Sequence, residues 1–106
     1  RTAPRAEALA RKLQAAYPSC DVRAGSAHPA GHDLAANATS VGLEPGDPLP
    51  FDVSAPPRTT VVAEVLMKPE KTALLAAAER RGCPIHLGRH MLDRQVDLMF
   101  EFFAAR

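Results

Sequence analysis

Residues 59–67 read Thr-Thr-Val-Val-Ala-Glu-Val-Leu-Met, a run that is β-branched at its start and apolar almost throughout. A strand with one wet face alternates apolar and polar residues, whereas a near-continuous apolar run is the pattern of a strand covered on both faces, as in a parallel sheet. The next twenty residues have the form of a crossover. Pro69 leads a predicted helix, EKTALLAAAERR (70–81), which Gly82 closes in the usual C-terminal position. PIHL (84–87) is then a second short strand candidate. Strand, helix and strand in this order define a βαβ unit, and the class is α/β with a doubly wound, mainly parallel sheet.

The flanking segments extend the pattern. LAAN (34–37) is brief and apolar and stops at a polar stretch, NATSVG (37–42). CDVRA (20–24) is a further strand candidate, and GSAHPAGHD (25–33) is a loop by its Gly, Pro, Ser and Asp content. A proline-rich connection runs from Glu44 to Arg58. At the start, APRAEALARKLQAAYP (3–18) places Ala6, Leu9, Leu13, Ala16 and Tyr17 at helical spacing, with Thr2 as N-cap and Pro18 as terminator. The last predicted helix spans 91–105. Leu92, Val96, Met99 and Phe103 form one stripe, Met91, Leu98 and Phe102 a second, and Phe100 adds a third apolar position. A helix this broadly apolar must be covered on more than one side.

Bulk properties exclude several function classes. A chain of 106 residues, 46% hydrophobic and 24% charged, is a single globular unit rather than a disordered tail. A formal charge of +1 gives no general attraction for nucleic acid or an anionic membrane. No apolar run approaches the length of a membrane span, and no signal-peptide pattern is present, which points to a cytoplasmic protein. Cys20 and Cys83 have neither CxxC nor framework spacing and are expected to be reduced. The sequence opens on Arg1-Thr2 without a methionine, as expected of a piece processed or cut from something longer.

Few side chains suggest chemistry by themselves. Arg1, Thr2 and Arg5 at a helix start could cage a phosphate, since guanidinium groups and free backbone N–H groups converge there. A glycine-rich GxGxxG turn is absent, so the first strand and turn of a dinucleotide domain would lie outside this chain. His28 and His32 sit four apart, but Pro29 and Gly31 between them argue against a helical metal pair. His86 and His90 suit packing or solvation, and Asp33, Asp47 and Asp52 are loop carboxylates without a paired acid. Gln95 lies within an apolar stripe, where its amide either reaches water at the edge or points into a ligand cleft. Asn37-Ala-Thr39 satisfies the glycosylation sequon, yet the same residues could end a strand and touch a ligand at the sheet edge.

Four segments in order, RTxxR (1–5), NATSVGLxPGDPLPFD (37–52), VVAEVLMKPEKTALLAAAERRGC (61–83) and GRHMLDRQVDL (88–98), resemble the C-terminal part of the shikimate dehydrogenase family. The resemblance covers nearly the whole chain but only part of a family member. It implies a Rossmann-type domain and an oxidoreductase of aromatic amino acid biosynthesis that uses NADPH to reduce 3-dehydroshikimate reversibly to shikimate. It further implies that Arg1, Thr2 and Arg5 clamp the adenosine 2′-phosphate of NADP, and that Thr39 and Ser40 lie beside the cofactor ribose. Val65 would present its backbone near the nicotinamide, Gly88 would approach the nicotinamide amide, and Gln95 would reach a substrate hydroxyl. No catalytic residue is implied here: the family's Lys–Asp pair belongs to a preceding substrate domain, and Lys68 is not that lysine.

Two departures mark a divergent, dehydrogenase-like branch. Met67 stands where the family carries a tyrosine contacting the substrate carboxylate, and a thioether cannot donate that hydrogen bond. His90 stands where a glycine is usual. The implied partners are a small cyclic polyol acid of the shikimate or quinate type, the substrate domain, and a second copy in a homo-oligomer. The chain alone is expected to be inactive and to associate through its unpaired sheet edge. A reading from another class is a non-catalytic fragment that docks a partner through that edge and the apolar last helix.

Overall fold

A computed structural model describes residues 2–105, in the order α1 (Ala3–Ala16), β1 (Leu34–Asn37), β2 (Val61–Glu64), α2 (Ala73–Arg81), β3 (Ile85–His86) and α3 (Arg89–Ala104). The three strands form one parallel sheet in the order β1-β2-β3. Leu34 faces Val61 and Asn37 faces Glu64 across the first ladder, and Val62 faces Ile85 across the second. The run at 59–67 is therefore the central strand, and the α/β reading holds.

One face of β2 is sealed and the other is half-covered: Val62 and Glu64 are buried, whereas Val61 and Ala63 are partly exposed. The sealed face meets α2, where Leu74, Leu75 and Ala78 join Val62 and Cys83 in the core. Phe51 and Val53 of the proline-rich connection, with Ile85 and Leu87, close over its margin. The ladder is shorter than the apolar run because Val65 leaves it after one last bond, Val65 N–H to the Asn37 carbonyl at 3.1 Å. At the other end Thr60 turns its hydroxyl to the His32 carbonyl at 2.7 Å.

Helix α2 starts at Ala73 rather than at Glu70, because Thr72 takes the N-cap and its hydroxyl accepts the Leu75 N–H. It ends as expected on Gly82, at φ 89°, where a side chain would be strained. Helix α1 has Thr2 at its N-cap position, but Thr2 contributes its backbone carbonyl and no side-chain cap. The predicted strand at 20–24 does not form. It has no neighbour in the sheet and instead lies along α1, where Gln14 donates to the Cys20 carbonyl and accepts the Val22 N–H. A strand needs a ladder, and apolar content alone does not supply one. Both cysteines are free thiols, Cys83 within the core and Cys20 exposed.

Helices α1 and α3 contain no buried residue. Both predicted stripes of α3 are present and exposed, with Phe103 of the first and Leu98 of the second each 65% exposed. The radius of gyration, 15.9 Å, exceeds the ~13 Å of a compact unit near this size, because these two helices stand away from the sheet. Among the described residues no helix is long and apolar enough to cross a membrane.

Truncation of the fully buried Leu75 to Ala should lower stability by about 2–5 kcal/mol, read from urea unfolding. The 106-residue chain by itself should self-associate through the bare α3 face and the β1 edge; a single monomeric boundary in sedimentation velocity would refute this.

Candidate functional site

Because all three strands run parallel, their carboxyl ends open on one edge, where open α/β sheets bind ligands. Three connections leave that edge: 38–60 after β1, 65–72 after β2, and 87–88 into α3.

A buried polar cluster locks the first two together. Glu64, 3% exposed, ends β2 with its carboxylate beneath the edge. Its Oε1 accepts the Asn37 side-chain amide at 3.0 Å and the backbone N–H groups of Val65 at 3.0 Å and Leu66 at 3.3 Å. Its Oε2 accepts the same Asn37 amide at 3.2 Å and the Thr72 hydroxyl at 3.1 Å. Asn37 in turn donates to the Val41 carbonyl at 2.9 Å, and its Oδ1 accepts the Thr39 hydroxyl at 2.7 Å and the Thr39 N–H at 3.1 Å. The Thr39 hydroxyl then accepts the Val41 N–H at 3.1 Å. One carboxylate thus gathers the 37–41 turn, the strand end at 65–66 and the cap of α2.

The third connection is set by contact. Gly88 is buried in an ordinary helical conformation, φ −60°, so its lack of a side chain answers a spatial need. A Cβ there would collide with the Leu66 carbonyl oxygen and lie 2.8 Å from the Val65 carbonyl carbon. The strand end at 65–66 is therefore held between the Glu64 carboxylate and the Gly88 backbone. Beside it opens a cavity of about 610 Å³ lined by Leu43, residues 65–68, Arg89, Leu92 and Asp93. Arg89 pairs loosely with Asp93 at 3.4 Å, one turn along α3.

The structure brings some of the residues singled out in the sequence together at this edge and leaves others apart from it. Thr39 and Ser40 are exposed at the edge, Val65 follows β2 directly, and Met67 lines the cavity. Gly88 packs on the backbone of Val65 and Leu66. Gln95 is exposed on α3, whereas Leu92 and Asp93 are the members of that turn that line the cavity. Thr2 and Arg5 lie at the start of α1, whose Gln14 bonds to the 20–22 segment and not to the sheet; Arg1 is outside the described residues.

The remaining candidates resolve into local structure. His86 and His90 stack edge-to-face with centroids 5.0 Å apart, and His32 Nδ1 lies 2.9 Å from the Ala30 carbonyl. No metal-holding cluster occurs among the described residues. Asp47 accepts the N–H groups of Gly42 and Glu44, fixing the start of the long connection. Hydrogen bonds from the Ser54 N–H and hydroxyl hold the Asp52 carboxyl below its usual range. The glycosylation reading fails in the folded chain: the Asn37 amide nitrogen is buried and already donates to Val41 and Glu64.

Asn37, Glu64 and Thr72 were not among the expected site residues. The available signal was the lone acid inside an apolar run, since a buried acid must find donors.

A parallel sheet with loops converging at its carboxyl edge defines a Rossmann-like α/β unit, and similarity to known proteins agrees. The chain is 43% identical over 104 residues to a shikimate dehydrogenase (NADP(+)) of Methylobacterium radiotolerans, covering 95% of this chain and 36% of that protein. It superposes on a crystal structure of shikimate dehydrogenase in complex with NADP+ with a TM-score of 0.89 at 24% identity, covering all of this chain and 39% of that one. A ligand-free 5-ketofructose reductase of Gluconobacter sp. strain CHM43 superposes at 0.81 with 30% identity, again over all of this chain and 40% of that one. No protein-family model matches. The resemblance to the shikimate dehydrogenase family is thereby shown, over a chain that spans little more than a third of the curated relatives it matches.

Replacing Gly88 by Ala should displace the 65–66 backbone and lower stability by roughly 1–3 kcal/mol, measured by thermal unfolding.

Proposed function

We propose that this chain is the NADP-binding portion of an oxidoreductase of the shikimate dehydrogenase type, reducing a cyclic keto acid to its hydroxy acid reversibly. The observation that carries the reading is the carboxyl edge itself. Hydroxyl-bearing Thr39 and Ser40, the Val65 backbone and a cavity of about 610 Å³ meet there on connections fixed by Glu64 and Gly88. NADP, when bound, supplies or accepts the hydride.

The residues present suit such a group. Ser40 offers an exposed hydroxyl and Thr39 a remaining acceptor lone pair on its anchored hydroxyl to a ribose, and Val65 and Gly88 offer backbone to a flat amide. Arg1, Thr2 and Arg5, at the start of the chain, supply two positive charges and a hydroxyl for a 2′-phosphate. Gln95 provides one substrate contact from α3. Met67 can shield the pocket from water but cannot hydrogen-bond a carboxylate as a donor, which favours a substrate related to shikimate or quinate rather than one bound identically. The proton-transfer pair would come from a substrate domain preceding this one, and the bare apolar stripes of α3 suit packing against it. That packing accounts for the apolar helix without a foreign partner.

The test is a substrate panel of shikimate, quinate and their amino analogues on the full-length protein with NADP+ and NAD+. Arg5→Ala should cut the preference for NADP+ over NAD+ by about ten- to a hundredfold, the worth of one charge-assisted hydrogen bond. An unchanged preference would reject the clamp, and no turnover with any of the panel would reject the substrate class.

A further inference from the structure

Glu64 is the most deeply buried acid among the residues near the edge, yet the proposed reaction assigns it nothing. A structural acid can be satisfied by a partner or two. This one collects the Asn37 amide, two successive backbone N–H groups and the Thr72 hydroxyl, all of them donors. These donors come from the two connections that the functional reading places on either part of the cofactor, the ribose at 39–40 and the nicotinamide at Val65.

The geometry at Val65 has a directional consequence. The peptide joining Val65 to Leu66 is trans, so its C=O and N–H point in opposite directions. With the Leu66 N–H turned to Glu64 Oε1, the Val65 carbonyl is aimed away from the buried carboxylate. On the other side, the Asn37 amide can serve Glu64 only in the flip that leaves Oδ1 facing Thr39, and this fixes the Thr39 hydroxyl.

We infer that Glu64 is a positioning residue that holds the ribose-side hydroxyl of Thr39 and the nicotinamide-side carbonyl of Val65 in one fixed relation, through Asn37 and the 65–66 N–H groups. The inference rests on reading this edge as an NADP site. A glutamine at 64 keeps the shape but must present an NH2 to at least one group that is itself a donor. The 37–41 turn and the strand end then lose their common reference.

The experiment uses the full-length protein, measuring NADP+ affinity by titration and kcat and KM in steady state. Glu64→Gln should raise the Kd for NADP+ about tenfold or more and lower kcat at saturating NADP+, while KM for the hydroxy acid stays within about twofold. Glu64→Asp, which remains acceptor-only, should recover most of the loss. Thr72→Val, isosteric, removes one donor to Glu64 together with the α2 N-cap; beyond the lower melting temperature that cap loss brings, it should move the same constants in the same direction by about threefold. A purely structural role predicts a lower melting temperature with unchanged constants for the folded enzyme. Folded Glu64→Gln protein with the wild-type Kd and kcat overturns the inference. If that variant does not fold, unchanged constants in Thr72→Val overturn it. Wild-type protein that fails to bind NADP+ overturns the cofactor reading instead, which separates the two failures.

Discussion

A carboxylate taken almost wholly out of water must be met by donors, and the donors available to Glu64 determine how the carboxyl edge of the sheet is arranged. They belong to β1, to the chain leaving β2 and to the start of α2, so saturating one group ties three elements together. Thr72 illustrates the economy of the device: its hydroxyl donates to Glu64 and accepts from Leu75, so the same atom completes the network and caps the helix. The late start of α2 is a consequence. Beginning at Glu70 would take Thr72 into the helix and remove both its roles.

On the opposite side of the 65–66 backbone the constraint is steric. Gly88 comes so close to the Leu66 carbonyl that no side chain can stand there, and α3 leaves the sheet from that contact. Hydrogen bonds hold the strand end from one side and the absence of a Cβ admits the next element on the other. The cavity beside Met67 and Leu92 is bounded by these same pieces, so its shape depends on both constraints.

The outer helices show the limit of what this unit stabilises alone. Helix α2 seals one face of β2, and α1 and α3 seal nothing. Their apolar stripes satisfy the periodicity of amphipathic helices, yet no described residue of either helix is buried. The stripes therefore describe a packing tendency that the local sequence encodes and that this sheet does not absorb.

The sequence by itself determined the class: a near-continuous apolar, β-branched run, a capped helix and another short strand leave a parallel α/β unit as the consistent solution. It also determined the family resemblance, because several motifs stand in order along the chain. It failed at 20–24, where apolar and β-branched character was present but the ladder was not, since pairing is a property of neighbours in space. Only the tertiary structure decided that Asn37 is an internal anchor rather than a glycan acceptor, because burial of its amide depends on Glu64, twenty-seven positions away. Likewise it decided that Gly88 is required for closeness and not for backbone freedom, since its φ is ordinary and only the contact with the 65–66 peptide excludes a Cβ. Periodicity and capping act within a few residues and are legible in order; donors, acceptors and contacts between strand ends are set by the fold that brings them together.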